Sequence, residues 1–384
     1  MILLLWLGLA FSSFGILGAN YVFARRAAKR AWNIRRNTSY MPKVSVIIPT
    51  HNECEVIEYK LRNLAKLEYP KNLLQMVFID SGSTDCTVDK IRDFAKENPT
   101  TETKMLVESE RRGKSAALNS ALKHCEGDVV LVSDADCFWP SDILHKALPF
   151  LGDQDIGAVS GAKVLLGSNH SWVAKNESAY LDSMNLIKLG ESKIGSTLLF
   201  EGGFSAYKKG LLDSFDPYNT GSDDCGTIVS LAEKNYRAIF VPDVRFYTAF
   251  PDKWKEKMTM KMRRSGQLVR VFWKYLVLLS RQRIKKSKRT IIPSVFIYLF
   301  CPILFVFFLA VTAVIFISYP YLIALLLLFL VPRVGSMLVE TFQGFLVLFL
   351  ALLEVASGKN FLIWQKPADR CLLTEEMLRG HDLI

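Results

Sequence analysis

Two short runs of apolar, β-branched residues each end in polar residues. The first run covers residues 44–48 and ends at Pro49, and the second covers residues 129–132 and ends at Ser133 and two aspartates. Both runs are apolar on both faces, and helix-like segments lie between them, which indicates a parallel sheet covered by helices. Because ligands of open sheets bind at the carboxyl ends of the strands, the sequence predicts an α/β fold with a ligand site at those ends.

Polar residues that can bind ligands fall at these predicted strand ends: Thr50, Asn52, Glu53, Asp80, Asp134 and Asp136. Asp134 and Asp136 are two positions apart, so both carboxylates can address one small volume where the strand gives way to a turn. Oxygen ligands of this kind suit Mg²⁺ or Mn²⁺. A single DAD tripeptide is also typical of a solvated turn, but its position directly after an apolar strand favours a metal site.

Five acidic and glycine-bearing segments follow one another in a fixed order. They are VSVIIPTHNE from Val44, FIDSGSTD from Phe78, RRGKSAALN from Arg111, VVLVSDAD from Val129 and GSDDCG from Gly221. This series resembles the catalytic domain of family 2 inverting glycosyltransferases, the GT-A group that includes dolichyl-phosphate sugar synthases, ceramide glucosyltransferase, and hyaluronan and cellulose synthases. The resemblance extends from residue 44 to about residue 266, and it implies a Rossmann-like GT-A domain with N-terminal and C-terminal transmembrane helices.

The resemblance also implies roles for individual residues. The nucleotide and donor side is matched by Pro49, His51, Asn52, Glu53, Asp80, Lys114 and Asp134. Asp80 is expected to hydrogen-bond the uracil ring, and Asp136 joins Asp134 at the metal and diphosphate motif. Asp224 stands at the general base, with Asp223 as its less certain neighbour. The acceptor side is matched by Glu201, Gly202, Gly203 and Arg264.

The basic residues near position 111 agree with this chemistry. A departing nucleoside diphosphate needs its developing charge neutralised by a metal ion and by cations, and Arg111, Arg112 and Lys114 can supply the cations. Two plainer interpretations remain open. Residues 111–114 also have the composition of a solvated charged turn, and the aspartates at 223 and 224 are favoured N-cap residues for an apolar helix that follows them.

Apolar blocks flank the catalytic segments. Residues 1–23 are almost uncharged, long enough to span a bilayer, and directly followed by basic residues, so we interpret them as an uncleaved anchor in preference to a signal peptide. The basic residues place the catalytic domain in the cytoplasm of an integral membrane protein. The predicted organisation is a transmembrane anchor (1–24), a basic linker (25–42), a GT-A domain (43–252), an amphipathic interfacial helix region (253–290), a C-terminal transmembrane region (291–357) and a cytoplasmic tail (358–384).

The C-terminal apolar region has an unsettled number of spans. Residues 291–317 form one block, and residues 321–356 form another that is too long for one span and awkward for two. Pro332, Arg333 and Glu340 interrupt the second block. Charged residues at such depth usually face a bundle interior and are functional candidates. The region therefore holds two or three segments, for three or four spans in all.

Residues 253–276 interleave aromatic and basic side chains, which favours a helix at the membrane interface. The alternative is a helix packed on the catalytic domain. Processive synthases carry a QxxRW motif in this region, where this chain has KMRRS at 261–265. Arg264 matches the arginine, but the glutamine and tryptophan are absent. This departure favours a single transfer over the synthesis of long polymers.

The distribution of charged residues limits the kinds of partner that the chain is expected to bind. The net charge of +11 comes largely from basic residues beside the apolar blocks, so anionic lipid headgroups and phosphates are simpler partners than nucleic acid, for which no motif is visible. The seven cysteines form no CxxC pair, and we interpret them as reduced thiols or small core residues. Residues 171–192 have helical spacing and are expected to pack on the sheet or to line an acceptor groove.

These features together predict a membrane-bound, metal-dependent glycosyltransferase. We expect it to transfer a sugar from a nucleotide-sugar to a lipid or lipid-linked acceptor, with Asp224 as base and Mg²⁺ or Mn²⁺ as cofactor. The resemblance implies that the donor is a UDP-sugar. The alternative is a processive polysaccharide synthase. A dinucleotide-dependent oxidoreductase is disfavoured because no GxGxxG follows the first strand. A membrane scaffold that only binds nucleotide would keep Asp80 and dispense with Asp224.

Overall fold

The computed structural model describes residues 1–167, 171–358 and 373–384, and its strands form one eight-stranded sheet in the order β3-β2-β1-β4-β7-β6-β8-β5. The strands are β1 (Val44–Thr50), β2 (Leu74–Ser81), β3 (Glu102–Glu108), β4 (Val129–Val132), β5 (Cys137–Phe138), β6 (Ile156–Leu165), β7 (Ser205–Lys208) and β8 (Arg237–Thr248). Strands β1 to β4 pair in parallel, whereas β7 is antiparallel to both β4 and β6. The predicted α/β class is correct, and the sheet is mixed.

Helices cover both faces of the sheet and extend beyond it. They are α1 (Ile2–Ala10), α2 (Ile16–Ala28), α3 (Ile57–Ala65), α4 (Thr87–Glu97), α5 (Lys114–Leu122), α6 (Ile143–Leu151), α7 (Trp172–Ile194), α8 (Cys225–Glu233), α9 (Trp254–Ser280), α10 (Lys288–Val295), α11 (Cys301–Ser318), α12 (Pro332–Ala356) and α13 (Glu375–Gly380). Along β1, Val46 and Ile48 face one hydrophobic core, and Ile47 faces the other. This alternation buries both faces of the strand, as its continuous apolar sequence predicts.

Three helical segments of the described chain are long and apolar enough to cross a membrane: Ile2–Ala28, Lys288–Ser318 and Met337–Ala356. Aromatic side chains hold them together, since Phe14 of the first segment contacts Phe305 of the second and Phe342 of the third. The long third block of the sequence divides into a short 3-10 helix, Pro320–Leu330, and α12. The described residues therefore contain three candidate spans.

Helix α9 packs against both the domain that contains the sheet and the candidate membrane helices. Its Phe272 and Tyr275 are buried, and the Phe272 ring stacks on Tyr298 at 4.1 Å between centroids. Val229 of α8 belongs to the same hydrophobic cluster. The alternative of a helix packed on the catalytic domain therefore describes this segment well. Trp273 on the same helix is 61% exposed, and its place at a membrane interface stays a prediction.

The interpretation of all seven cysteines as reduced or core residues was wrong for two of them. Cys54 and Cys86 form a disulfide, with their Cα atoms 5.3 Å apart. Because Cys54 follows β1 and Cys86 follows β2, and these strands are neighbours in the sheet, residues 32 positions apart in sequence meet. Cys125, Cys137, Cys225 and Cys301 are free and buried, as expected for small core residues.

The end of the chain returns to the catalytic domain. Leu378 and Leu383 are fully buried in a cluster with Phe138 and Leu166, and the side-chain amide of Asn63 donates to the Leu383 carbonyl at 2.7 Å. Much of the predicted tail, residues 359–372, lies outside the described residues. The described part, from residue 373, packs beside the turn that follows β4.

Candidate active site

A cavity of about 580 Å³ opens at the carboxyl ends of β1 and β4. The residues that follow β1 and β4 meet here because these parallel strands end at one edge, and loops and helices bring the other predicted residues to the same space. The predicted site residues that line it are Pro49, His51, Asn52, Glu53, Arg111, Lys114, Asp134, Asp136, Glu201, Gly202, Gly203, Asp223, Asp224 and Arg264. Within the described chain, one continuous space therefore joins the predicted nucleotide, metal, base and acceptor residues.

Lys114 joins two of these groups. Its Nζ lies 2.7 Å from Oδ1 of Asp134 and 2.9 Å from Oδ2 of Asp223. Burial lowers the pKa of Lys114, but the two carboxylates outweigh it and raise that pKa well above its ordinary value. The lysine is therefore a fixed cation. It ties the turn after β4 to the loop before α8 and lines the cavity.

Asp134 and Asp136 offer oxygen ligands close together. One ligand atom from each of these residues and from Cys137 lies within 4.8 Å of the others. Burial, with the nearby Asp136 and Asp134 charges, raises the pKa of the Cys137 thiol well above its ordinary value, which disfavours a thiolate there. Two carboxylates without a thiolate fit a hard divalent cation such as Mg²⁺ or Mn²⁺.

Asp224 and Asp223 stand at the start of α8. Asp224 is the N-cap residue, and its Oδ1 accepts hydrogen bonds from the Ser222 hydroxyl at 2.5 Å and the Cys225 amide at 2.6 Å. The capping interpretation is therefore confirmed for Asp224, but capping does not exclude catalysis, because the residue also lines the cavity. Burial raises the pKa of Asp223 to about 6, with Lys114 opposing and Asp224 adding to the shift.

Asp80 has a different environment from the one expected. It is 1% exposed, and the described structure does not include it among the residues that line the cavity. Its carboxylate accepts hydrogen bonds from the Ser83 amide at 2.8 Å, the Ser83 hydroxyl at 2.5 Å and the Thr50 hydroxyl at 3.1 Å. Asp80 thus shapes the loop after β2, while its neighbour Ser81 lines the cavity. A contact between Asp80 and uracil stays a prediction.

The glycine pair at 202–203 allows a close approach of two loops. A Cβ atom on Gly202 would lie 2.6 Å from Nζ of Lys114 and 3.0 Å from Oδ2 of Asp134. The Gly202 carbonyl also accepts a hydrogen bond from the Asp134 amide at 3.2 Å. A Cβ on Gly203 would overlap the Phe246 ring. These glycines are needed because any side chain would push the loop away from the predicted metal residues.

Sequence reasoning overlooked several charged residues beside Glu201. Nζ of Lys188 lies 2.5 Å from Oε1 of Glu201, and Nζ of Lys163 lies 4.0 Å from its Oε2. Burial raises the pKa of Glu201, but Lys188, Lys163 and Arg264 outweigh burial and lower it to about 2. The available signal was a lysine inside an apolar stretch, since Lys163 interrupts β6 and Lys188 lies on a buried part of α7.

The far end of the cavity reaches the candidate membrane helices. Tyr298, Gly344, Val347 and Leu348 line it there. Glu340 of α12, predicted as a functional candidate, also lines the cavity and pairs with Lys261 at 2.7 Å and with the buried Lys257 at 3.2 Å. Tyr180, Leu181 and Met184 of α7 line the space as well, and their contact with an acceptor stays a prediction.

Comparison with known proteins identifies the family. Residues 45–215 match the sequence profile of Glycosyl transferase family 2. The solved mannosyltransferase PcManGT from Pyrobaculum calidifontis, in complex with GDP-Man and Mn²⁺, is 30% identical, with a TM-score of 0.79 over 94% of this chain and 100% of that chain. The chain belongs to glycosyltransferase family 2. This enzyme therefore has the GT-A fold, and the predicted family and activity class are confirmed.

Curated relatives of the glycosyltransferase have different products. A Beta-monoglucosyldiacylglycerol synthase from Nostoc sp. is 28% identical over 48% of this chain and 40% of its own length. A Poly-beta-1,6-N-acetyl-D-glucosamine synthase from Staphylococcus aureus is 24% identical over 70% of this chain and 72% of its own. The matched segments span only 38 to 40% of the first curated relatives. Both kinds of product thus occur among distant relatives of this enzyme.

Proposed function

We propose that this glycosyltransferase transfers a sugar from a nucleotide-sugar to a lipid or lipid-linked acceptor. This proposal is supported by one continuous cavity, which runs from Asp134, Asp136 and Asp224 to Gly344 and Leu348 of a candidate membrane span. An acceptor whose apolar part lies among the membrane helices can thus bring its reactive end to the carboxylates. A purely water-soluble acceptor would have no use for the apolar end.

The donor lies at the end with four aspartates. Asp134 and Asp136 would hold the metal ion, which neutralises the charge that develops on the leaving nucleoside diphosphate when it is bound. Lys114, already fixed between Asp134 and Asp223, adds a permanent cation there. The structural relative was solved with GDP-Man and Mn²⁺, so the donor test must include GDP-mannose beside the UDP-sugars expected from sequence.

Asp224 is the proposed base on the acceptor side. Ser222 and the Cys225 amide hold one of its carboxylate oxygens, which orients the carboxylate in the cavity. It would accept the proton of an acceptor hydroxyl while that oxygen attacks the anomeric carbon, giving inversion. If the acceptor is a lipid phosphate, its oxygen is already ionised and Asp224 would orient it.

The charges between the predicted metal residues and the candidate spans favour an anionic acceptor. Five cations, from Lys163, Lys188, Lys257, Lys261 and Arg264, surround the carboxylates of Glu177, Glu201 and Glu340. A buried or partly buried excess of positive charge is costly unless a counter-charge reaches it. A phosphate on the acceptor would supply that counter-charge.

The test is transfer of label by membranes that contain the full chain. UDP-glucose, UDP-N-acetylglucosamine and GDP-mannose, each radiolabelled in the sugar, are incubated with Mn²⁺ or Mg²⁺, and the products are extracted into organic solvent. We expect label from one donor in a lipid-soluble product, with loss of transfer on chelation and in Asp136→Asn. The exposed Asp243→Asn is the matched control.

The labelled product distinguishes the proposed function from its two alternatives. Label in high-molecular-weight polymer would support the processive synthase instead, the activity of the Staphylococcus relative. This chain has KMRRS at 261–265, where processive synthases carry the QxxRW motif, and the missing glutamine and tryptophan argue against that outcome. Donor binding without any transfer or hydrolysis would support a nucleotide-binding scaffold and contradict the proposal.

A further inference from the structure

Lys60 of α3 is a buried amine below the turn that carries Asp134 and Asp136. Its side chain is fully buried, and it forms no ion pair with any carboxylate of the described residues. Nζ donates to the Ser133 hydroxyl at 2.7 Å and to the Cys137 carbonyl at 2.6 Å, and it lies 4.7 Å from the centre of the Trp139 ring. Burying an ammonium group is expensive unless specific bonds compensate.

The two acceptors of Lys60 bracket the metal residues. Ser133 directly precedes Asp134, and Cys137 directly follows Asp136. One ammonium group therefore ties the beginning of the DAD turn to its end. Ordering a metal site requires that the ligands be held by supporting hydrogen bonds, because the free side chains and turn otherwise sample many positions.

A second residue of the same helix face extends this support. Asn63, one turn after Lys60, accepts a hydrogen bond from the Trp139 amide at 2.9 Å and donates to the Trp139 carbonyl at 2.7 Å. The spacing of three positions places both side chains on one face of α3. Helix α3 thus holds residues 133–139 from below at both ends. Asp134 and Asp136 lie between the points of attachment.

We propose that Lys60 is a positioning residue for the metal site. By bonding Ser133 and Cys137, it fixes the turn in the shape in which Asp134 and Asp136 direct their oxygens at one divalent ion. This inference rests on the proposed metal role of these aspartates. A lysine that served stability alone would hold the sheet together but would leave metal affinity unchanged.

The sign of the effect distinguishes positioning from simple electrostatics. Lys60 lies within electrostatic reach of Asp134 and Asp136, so its positive charge by itself weakens the binding of a cation nearby. Removing the charge would therefore strengthen Mn²⁺ binding if electrostatics dominated. Removing the two hydrogen bonds would weaken binding if positioning dominated. The structure favours positioning, because the bonds reach both ends of the turn.

The experiment measures Mn²⁺ affinity of the purified full chain by the electron paramagnetic resonance signal of free Mn²⁺. We expect Lys60→Met to weaken Mn²⁺ binding by about tenfold or more. Ser133→Ala keeps the charge and removes two hydrogen bonds of the Ser133 hydroxyl, the one from Lys60 and the one to the Asp134 carbonyl at 3.2 Å, and it should weaken binding by about threefold. The matched control is Lys96→Met, an exposed lysine on α4, which should bind Mn²⁺ like the unmodified enzyme. Thermal unfolding is recorded for every variant.

Unchanged or tighter Mn²⁺ binding in both Lys60→Met and Ser133→Ala overturns the inference, even if both variants unfold at lower temperature. If Lys60→Met does not fold, Lys60→Gln, which removes the charge and is one atom shorter, is measured in its place. Weaker Mn²⁺ binding is then the expected result, and unchanged or tighter binding overturns the inference. Failure of the unmodified enzyme to bind Mn²⁺ would instead contradict the proposed metal site itself. The two failures are therefore distinguishable.

Discussion

Asp224 combines a structural position with a proposed catalytic one in one side chain. As N-cap of α8 it accepts the Cys225 amide, and as a cavity residue it faces the proposed acceptor. Asparagine is as good an N-cap residue as aspartate, whereas alanine costs about 1 kcal/mol of helix stability. The Asp224→Asn substitution therefore removes the base and keeps the cap, which makes it the informative variant at this position.

We expect Asp224→Asn to lower transfer by roughly a hundred- to ten-thousand-fold, the usual effect of losing a general base. Its affinity for nucleoside diphosphate should stay within a few fold, because Lys114 contacts Asp223 and Asp134 but not Asp224. Donor affinity by calorimetry and transfer by radiolabel are measured on the same preparation, with Asp243→Asn as control. Transfer that survives within tenfold, or nucleotide binding that collapses, would move the role to Asp223 or Glu201.

Residue types at strand ends made most of this site predictable from sequence. Asp134 and Asp136 were predictable from the end of an apolar strand, because ligands bind at the carboxyl ends of parallel strands, whereas Lys114 and Asp224 were assigned to the site by the resemblance to family 2. Lys60 was not predictable. It lies on a helix with no motif, and its role depends on the packing of α3 beneath the turn. The local loop geometry that buries Asp80 was equally unpredictable, since the sequence does not show which hydrogen-bond donors a carboxylate will contact.

At the scale of elements, α9 is joined to α12, which contains a candidate span, by charged side chains. Lys257 is fully buried and pairs with Glu340 at 3.2 Å and Glu177 at 3.4 Å, while Lys261 pairs with Glu340 at 2.7 Å. The sequence indicated that Glu340 would face a protein interior, but its partners lie about 80 positions away in sequence and on another helix. Contacts of that kind follow from how the helices pack, which periodicity does not encode.

We predict that Glu340→Gln destabilises the protein more than Lys261→Met. The first substitution takes a counter-charge from the buried Lys257, whereas the second leaves Glu340 paired with Lys257. Breaking a buried pair by removing one partner can cost several kcal/mol, so the midpoint of thermal unfolding should fall by several degrees more in Glu340→Gln. Equal midpoints for the two variants would mean that the pair contributes little to the contact between α9 and α12.

For the whole molecule, contacts of the basic segments bear on orientation. The Arg36 guanidinium lies 4.6 Å from the ring centre of Phe150, and Lys286 pairs with Asp155 at 2.9 Å. Both partners belong to the catalytic domain, which agrees with the prediction that the two basic clusters share one side of the membrane. Pro320–Leu330, which joins two candidate spans, then lies on the opposite side.

We expect single cysteines at positions 36 and 286 to react with an impermeant maleimide from one side of sealed vesicles, and a cysteine at position 321 to react from the other. The cytoplasmic side is identified by comparing inverted and right-side-out vesicles. Disulfides are uncommon in reducing compartments, so the disulfide between Cys54 and Cys86 disagrees with the cytoplasmic side expected from the basic residues, and the vesicle comparison decides between the two. Labelling of positions 36 and 286 from opposite sides would rule out the proposed arrangement.

The apolar end of the cavity also affects how this enzyme is handled in solution. Leu268, Tyr298, Val347 and Leu348 line a space between α9 and the membrane helices that a lipid tail would enter. A detergent monomer has a tail of the same kind, and in a micelle its local concentration far exceeds that of any lipid acceptor. Detergent would then act as a competitive inhibitor, so kinetic constants are better measured in lipid nanodiscs than in micelles.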